Sequence, residues 1–453
     1  NNNAIEPGHL YRERDVQRTY SNFGQLGAVM FSNIKMVEND SLPNMLDGFV
    51  TVHENKPRSL GAELEGTNSA GDLGAALLLT YQNRNLFRGS ELFSLKLRGA
   101  FEAITGLEGY SDQNYMEISV EAGLTFPNFK LFRFNGRDRG LMRATSEVSL
   151  LYDSQNRPEF HRRVLTSALR YRWQSPNGLL RHRIDLIDET DRNAILRYNY
   201  ENLFIMRLGY SFTYNSQRNA TSIADYGSNA LGIRFNVESA GNVLYGFSNL
   251  FGASRNDQGQ YTLFNIAYAQ YLKGDFDISK SFRFDDRNSL ALHFGIGVAY
   301  PYGNSTILPY EKRYFSGGAN SVRGWSVREL GPGRFTGGDG RIDFINQTGD
   351  IKLDLNAEYR TYLFWKLHGA FFVDAGNIWT IRDYAEQPGG QFRMRSFWRE
   401  IAVSYGLGFR LNFDYFILRL DGGMKAIHPA YDDVRHHYPI IHPDFKRDFT
   451  LHF

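Results

Sequence analysis

Strict two-residue alternation, sustained for ten or more residues and repeated along the chain, constrains this sequence more than any other feature. Over 350–360, Ile351, Leu353, Leu355, Ala357 and Tyr359 fall on one side, opposed by Asp350, Lys352, Asp354, Asn356, Glu358 and Arg360. Ile401 to Phe413 reads the same way, with Ala402, Ser404, Gly406, Gly408, Arg410 and Asn412 on the second face. Leu290–Tyr300, Phe204–Tyr214 and Phe93–Phe101 repeat it. This is the period of a strand with two unlike faces. Strands of soluble sandwiches run about five or six residues, so the length here predicts a transmembrane barrel. Its apolar face meets lipid, its polar or small face lines a wet lumen, and closure pairs every backbone amide. Sixteen strands spread over residues 58–453 would take about 25 residues each with their connections.

Composition agrees. Aromatics make up 15% of the 453 residues, with 44 Gly, 13 Pro and no Cys, which suits a turn-rich β-protein rather than a helical bundle. The 51 basic and 49 acidic residues form no long single-sign block, so electrostatic nucleic-acid binding is not expected. Without Cys there is no disulfide, thiolate metal site or Cys nucleophile within these residues. The longest strongly apolar run, Ala75–Leu79, is far below the roughly 20 residues of a membrane helix. Opening on Asn1 rather than Met, the numbered chain is expected to have lost a targeting segment.

Residues 1–57 read differently. Val16, Tyr20 and Phe23 have helical spacing within Arg14–Phe23, and two strands, Val29–Val37 and Phe49–His53, flank turn residues Pro43, Asn44 and Asp47-Gly48. A small α+β module therefore precedes the barrel at 58–453.

The most informative stretch is the Gly-rich connection 301–349, too long for a plain turn and too rich in aromatics and Arg for a disordered linker. Within it, Phe315-Ser-Gly-Gly-Ala-Asn-Ser-Val-Arg-Gly-Trp325 resembles the signature of the BamA/TamA superfamily of outer-membrane assembly and translocation barrels. Phe371–Trp379 and Ser404–Arg410 resemble the family segments that follow. The amino-terminal module resembles the last POTRA domain. Gly331-Pro332-Gly333, Gly349–Leu353 and Asn356–Arg360 look most like the TamL branch of the TamA family.

The resemblance implies a sixteen-stranded barrel whose sixth extracellular loop folds into the lumen, carrying Gly317, Gly318, Val322, Arg323, Gly324 and Trp325. It also implies that Arg323 contacts acidic residues of neighbouring strands, here Glu358 and Asp374. Physics gives a reason: a guanidinium removed from bulk water needs an anionic partner, and Glu358 and Asp374 both lie on inward faces of their strands. The family's first and last strands meet at a weak seam. Ser59–Gly66, with Leu60, Gly61 and Ala62, supplies the first strand. Residues 447–453, with Phe449, Leu451 and Phe453 towards lipid, supply the last. An unpaired edge in lipid can capture a client strand by β-augmentation.

The expected role is an outer-membrane protein assembly or insertion factor, with its amino-terminal module in the periplasm. Its partners are the lipid bilayer, nascent outer-membrane β-barrel proteins and a TamB-like periplasm-spanning protein; no cofactor, metal or enzymatic activity is expected. Alternatives are a BamA core subunit, a two-partner secretion transporter, a passive porin, or a lipolytic barrel using Ser281 or Ser289 with His293. His428, His436, His437 and His442 match no metal-site spacing and read as an exposed loop.

Overall fold

The computed structural model describes residues 3–24, 26–69, 72–103, 114–127, 143–156, 160–175, 179–195, 203–216, 229–263, 266–337, 346–413 and 416–452. These residues form an antiparallel all-β structure with twenty strands and a few short helices. They divide into two compact units, one of 1–208 with 263–267, the other of 209–262 with 268–453.

The first unit begins with helix α1 (Glu13–Phe23) and the hairpin β1 (Val29–Glu38) and β2 (Leu46–Glu54), paired from Val29↔Glu54 to Glu38↔Leu46. The second strand starts at Leu46 rather than Phe49, because Asp47-Gly48 sits inside the ladder opposite Met36 and Val37. Tyr20 fastens the helix to the hairpin: its hydroxyl accepts from the Ile34 N–H and donates to the Ile34 carbonyl.

An antiparallel meander follows in that unit: β3 (Arg58–Ser69), β4 (Asp72–Asn83), β5 (Leu92–Glu102), β6 (Tyr115–Phe126), β7 (Arg143–Asn156), β8 (Phe160–Gln174) and β9 (Leu180–Ile195). The chain passes on through β10 (Leu203–Asn215).

In the second unit, β11 (Leu231–Ala240) leads to helix α2 (Asn242–Leu250) and the short β12 (Thr262–Leu263) and β13 (Ile266–Tyr268). Long antiparallel ladders then join β11 to β14 (Tyr271–Arg283), β15 (Asn288–Pro301), β16 (Ile351–Phe364), β17 (Leu367–Trp379), β18 (Ala402–Phe413) and β19 (Phe416–Ile427) in succession. Helix α3 (Val434–His437), helix α4 (Phe445–Asp448) and β20 (Phe449–His452) close the sequence.

The last strand begins two residues later than the expected 447, because Asp444 caps a helical turn over Phe445–Asp448 by accepting from the Lys446 N–H. Phe453 lies outside the described residues.

Alternation places the apolar residues outward. On β17, Phe371 and Val373 are exposed while Phe372 and Asp374 are fully buried; on β18, Leu407 and Phe409 are exposed while Gly406, Gly408 and Arg410 are buried. A soluble protein would invert this arrangement. An exposed apolar surface flanking buried charge is the sign of a wall facing hydrocarbon. What buries the polar face is the connection between β15 and β16.

Candidate functional site

That connection folds back against β16–β19 and closes tightly on itself at its tip. Gly317 and Gly318 adopt φ of 92° and 90°, and a Cβ would collide with the Ser326 carbonyl at the first and with Val327 at the second. The Gly318 N–H donates to the Trp325 carbonyl at 2.8 Å, and the Ser321 N–H to the Gly318 carbonyl at 3.2 Å. This tight turn tucks Val322 and Trp325 into an apolar cluster with Leu330 and Ala402, and presents Arg323 to the strands.

Arg323 is surrounded by carboxylates. Nε and Nη2 donate to Asp374 Oδ2 and Oδ1, both at 2.8 Å, and its backbone N–H adds a bond to Oδ2 at 3.1 Å. Nη1 donates to Glu358 Oε2 at 2.6 Å and to Asp421 Oδ2 at 3.4 Å. The guanidinium lies 3.5 Å from the Phe372 ring centroid, adding a cation–π contact. Phe372 can lie flat there because its cross-strand neighbour is Gly406, where a Cβ would strike the ring. Burial works against the Arg323 charge, but Asp374 and Glu358 outweigh it and raise the pKa above the ordinary arginine value.

Further guanidinium groups balance the site. Arg410 bonds Glu358 at 3.1 Å and also pairs with Asp421; Arg360 bonds Glu358 at 2.7 Å; Arg419 lies 3.3 Å from Asp421. Buried charges persist only when paired and hydrogen-bonded in this way. Asn356 extends the network by donating to the Ser321 carbonyl at 2.8 Å and to Asp374 Oδ1 at 2.9 Å. Beside it lies a cavity of about 140 Å³ lined by Arg323, Glu358, Asn356, Arg360 and His293 among others.

The carbonyl side of the tip is held by the last strand. Thr450 Oγ1 donates to the Gly324 carbonyl at 3.0 Å, and His452 Nε2 lies 3.0 Å from the Arg323 carbonyl, so that nitrogen carries the proton. Gly423, opposite Thr450, leaves room for the Arg323 carbonyl to approach the β19 backbone. Lys425 reaches from β19 to Glu329 at 2.8 Å and over the Trp325 ring.

The residues singled out in the sequence therefore lie in different places. Gly317, Gly318, Val322, Arg323, Gly324 and Trp325 form the tip, and Glu358 and Asp374 meet Arg323. Leu60, Gly61 and Ala62 lie on β3, where the Leu60 side chain is exposed; Phe449 and Leu451 lie on β20.

In the last connection His442 is exposed and His436 and His437 are half-buried, and His428 alone corrects the expectation of an exposed loop. His428 packs edge-on against Trp325 at 5.5 Å and against Tyr431 at 4.7 Å, while His436 pairs with Asp433. Burial, then nearby Lys425, lowers the His428 pKa to about 3. His293 turns to Asn356 and Asp277 rather than to Ser281 or Ser289. Among the described residues, no three His, Asp or Glu side chains assemble as a metal site.

Asp421, Arg410, Phe372, Thr450 and His452 were not assigned from sequence. The period-two pattern of β19, with Leu418 and Leu420 exposed and Asp421, Gly423 and Lys425 buried, carries the signal for Asp421.

The Omp85 superfamily domain matches residues 160–438, which include the whole tip and its carboxylate partners. The chain belongs to the Omp85 superfamily. Over 118 residues it is 30% identical to the outer membrane protein assembly factor BamA of Neisseria meningitidis serogroup B, a match covering 24% of this chain and only 13% of that relative. Among solved structures, BamA from Haemophilus ducreyi lacking POTRA domains 1–3 resembles it with a TM-score of 0.62 at 13% identity, covering 94% of this chain and 76% of the other. CdiB from Escherichia coli gives 0.51 at 12% identity, covering 99% and 72%. At these identities the structural likeness speaks for the Omp85 fold.

Proposed function

We propose that this Omp85 chain closes as a sixteen-stranded outer-membrane barrel and assembles or inserts β-barrel client proteins in the manner of the TamL branch. Residues 1–57 are the end of a periplasmic POTRA-like module, and a TamB-like protein is the partner on that side. Clients engage the edges of β3, at Leu60, Gly61 and Ala62, and of β20, at Phe449 and Leu451, with Phe453 following in sequence. Main-chain pairing at a strand edge recognises a nascent strand whatever its sequence.

The observation that carries this reading is the double hold on Arg323. Its side chain is fixed by Asp374, Glu358 and Asp421, and its carbonyl is bonded by His452 of the last strand. A strand that must both close the wall and admit a client needs its position reported to the lumen, and this contact supplies the link.

Cysteines placed on β3 and β20, in a chain that has none of its own, test the reading. Crosslinking the two edges should block client assembly and reduction should restore it. Unimpaired assembly with the edges locked would overturn it. Secretion of a partner polypeptide through the lumen, as for a two-partner transporter, is the second reading. It is favoured by the likeness to CdiB and would survive that crosslink.

A further inference from the structure

Helix α2 presents an apolar stripe that the described residues leave exposed. Val243, Gly246, Phe247, Leu250 and Phe251 follow the i, i+3, i+4, i+7, i+8 spacing of one helical face and are all exposed, Leu250 at 76% and Phe251 at 74%. The rings of Phe247 and Phe251 stack on each other at 6.1 Å. The other side of the helix packs inward, with Tyr245 edge-on to Tyr261. No charged residue occurs between Asn242 and Ala253.

The anchoring of this helix shows what the stripe adjoins. Ser239, Leu272 and Tyr300 form one cross-strand row of β11, β14 and β15, on the face that also carries exposed Ile296 and Val298. Asn242, the first helical residue, donates to Ser239 Oγ at 2.7 Å and accepts from the Tyr302 hydroxyl at 2.8 Å; Tyr302 in turn stacks on Tyr300 at 6.1 Å. The helix is thus tied to the end of the outward apolar column, and its bare stripe continues that column past the last rung, Ala240↔Tyr271.

We propose that α2 is an interfacial helix lying on the bilayer, with Val243, Phe247, Leu250 and Phe251 immersed at the level of the lipid headgroups. An amphipathic segment with aromatic residues on its apolar face binds there through buried apolar area. With no charge of its own, the contact is insensitive to salt. It fixes the height and tilt of β11, β14 and β15 in the membrane. The inference rests on the reading of the strands as a lipid-facing wall.

Single cysteines at Val243, Phe247, Leu250 and Asn249, carrying an environment-sensitive fluorophore, test it in phosphatidylcholine–phosphatidylethanolamine liposomes. A label at outward-facing Leu355 of β16 serves as reference. Labels at 243, 247 and 250 should shift to the blue and be quenched by nitroxide-bearing lipid, while the label at 249 stays water-like. Water-like emission at 247 and 250 with Leu355 quenched would overturn the inference and leave the stripe to a protein partner. Water-like emission at Leu355 as well would overturn the lipid-facing wall and the inference with it.

Discussion

Arg323 and Asp374, 51 residues apart, share three hydrogen bonds, two from the guanidinium and one from the arginine's own backbone N–H. Asp374 therefore fixes both the side chain and the main chain of the loop tip. The strands from β16 to β18 are paired with one another along their length by main-chain ladders to which the loop contributes no rung.

Replacing Arg323 with Ala should accordingly release the tip while leaving the strands folded. Removing one partner of a buried pair costs about 3–5 kcal/mol, and here it falls on the seating of the loop. Arg323→Lys should fail nearly as badly, since an ammonium cannot form the paired bonds to Asp374. Client assembly should be lost and the loop should become sensitive to protease, with the heat-modifiable migration of the barrel on gels unchanged. Normal assembly by Arg323→Ala at normal abundance would refute the role given to the tip.

Glycine substitutions separate contact with the tip from the mere addition of a methyl group to the wall. A Cβ at Gly423 would collide with the Arg323 carbonyl and one at Gly324 with the Ser404 side chain, whereas one at Gly99 of β5 meets nothing within 4 Å. Overpacking costs about 1–3 kcal/mol. Gly423→Ala and Gly324→Ala should thus reproduce the protease sensitivity of the arginine variant, and Gly99→Ala should leave it at the wild-type level. Limited proteolysis of the three purified variants checks this.

Periodicity made the wall legible, because a strand with one face in lipid and one over charge writes its two environments into alternate residues. The same alternation puts Glu358 and Asp374 on the inward face. The lumen glycines were less legible. Gly406, Gly408 and Gly423 read as small residues in a wet channel, yet each marks a place where a side chain or carbonyl presses on the strand. At Gly406 and Gly408 the pressing groups come from Phe372, Asp421 and Arg410 of the strands, and at Gly423 from the carbonyl of Arg323 on the loop. The bonds from Thr450 and His452 were hidden too: their acceptors are carbonyls, which leave no trace in a sequence. His428 misled because polar, Pro-punctuated surroundings hide a ring packed on Trp325.

The link between tip and last strand can be tested by removing its side chains alone. Thr450→Val and His452→Phe keep volume but leave the Gly324 and Arg323 carbonyls without those donors, at about 0.5–1.5 kcal/mol each. Each single variant should slow client assembly modestly, and the pair together more. Because both bonds hold the same peptide segment, combining either with Arg323→Ala should add little. A double-mutant cycle on assembly rate measures this; fully additive losses would show that strand and tip act separately.

His428 gives the tip a pH dependence. Its pKa in the folded protein is about 3, against about 6.5 for an unfolded histidine. Above pH 6.5 both states are neutral and the residue is indifferent. Between pH 6.5 and 3 the released state takes up a proton that the packed ring refuses, so the packed state loses stability as the pH falls, by up to about 1.4 kcal/mol per pH unit. Lys425, Arg447 and His437 oppose protonation of the packed ring and Asp448 favours it, but burial is the largest influence. Protease sensitivity of the segment around Trp325 should therefore rise from pH 7.5 to pH 5. His428→Phe, which keeps an aromatic ring beside Trp325 and cannot titrate, should flatten that rise; a variant as acid-sensitive as the parent would place the titrating group elsewhere.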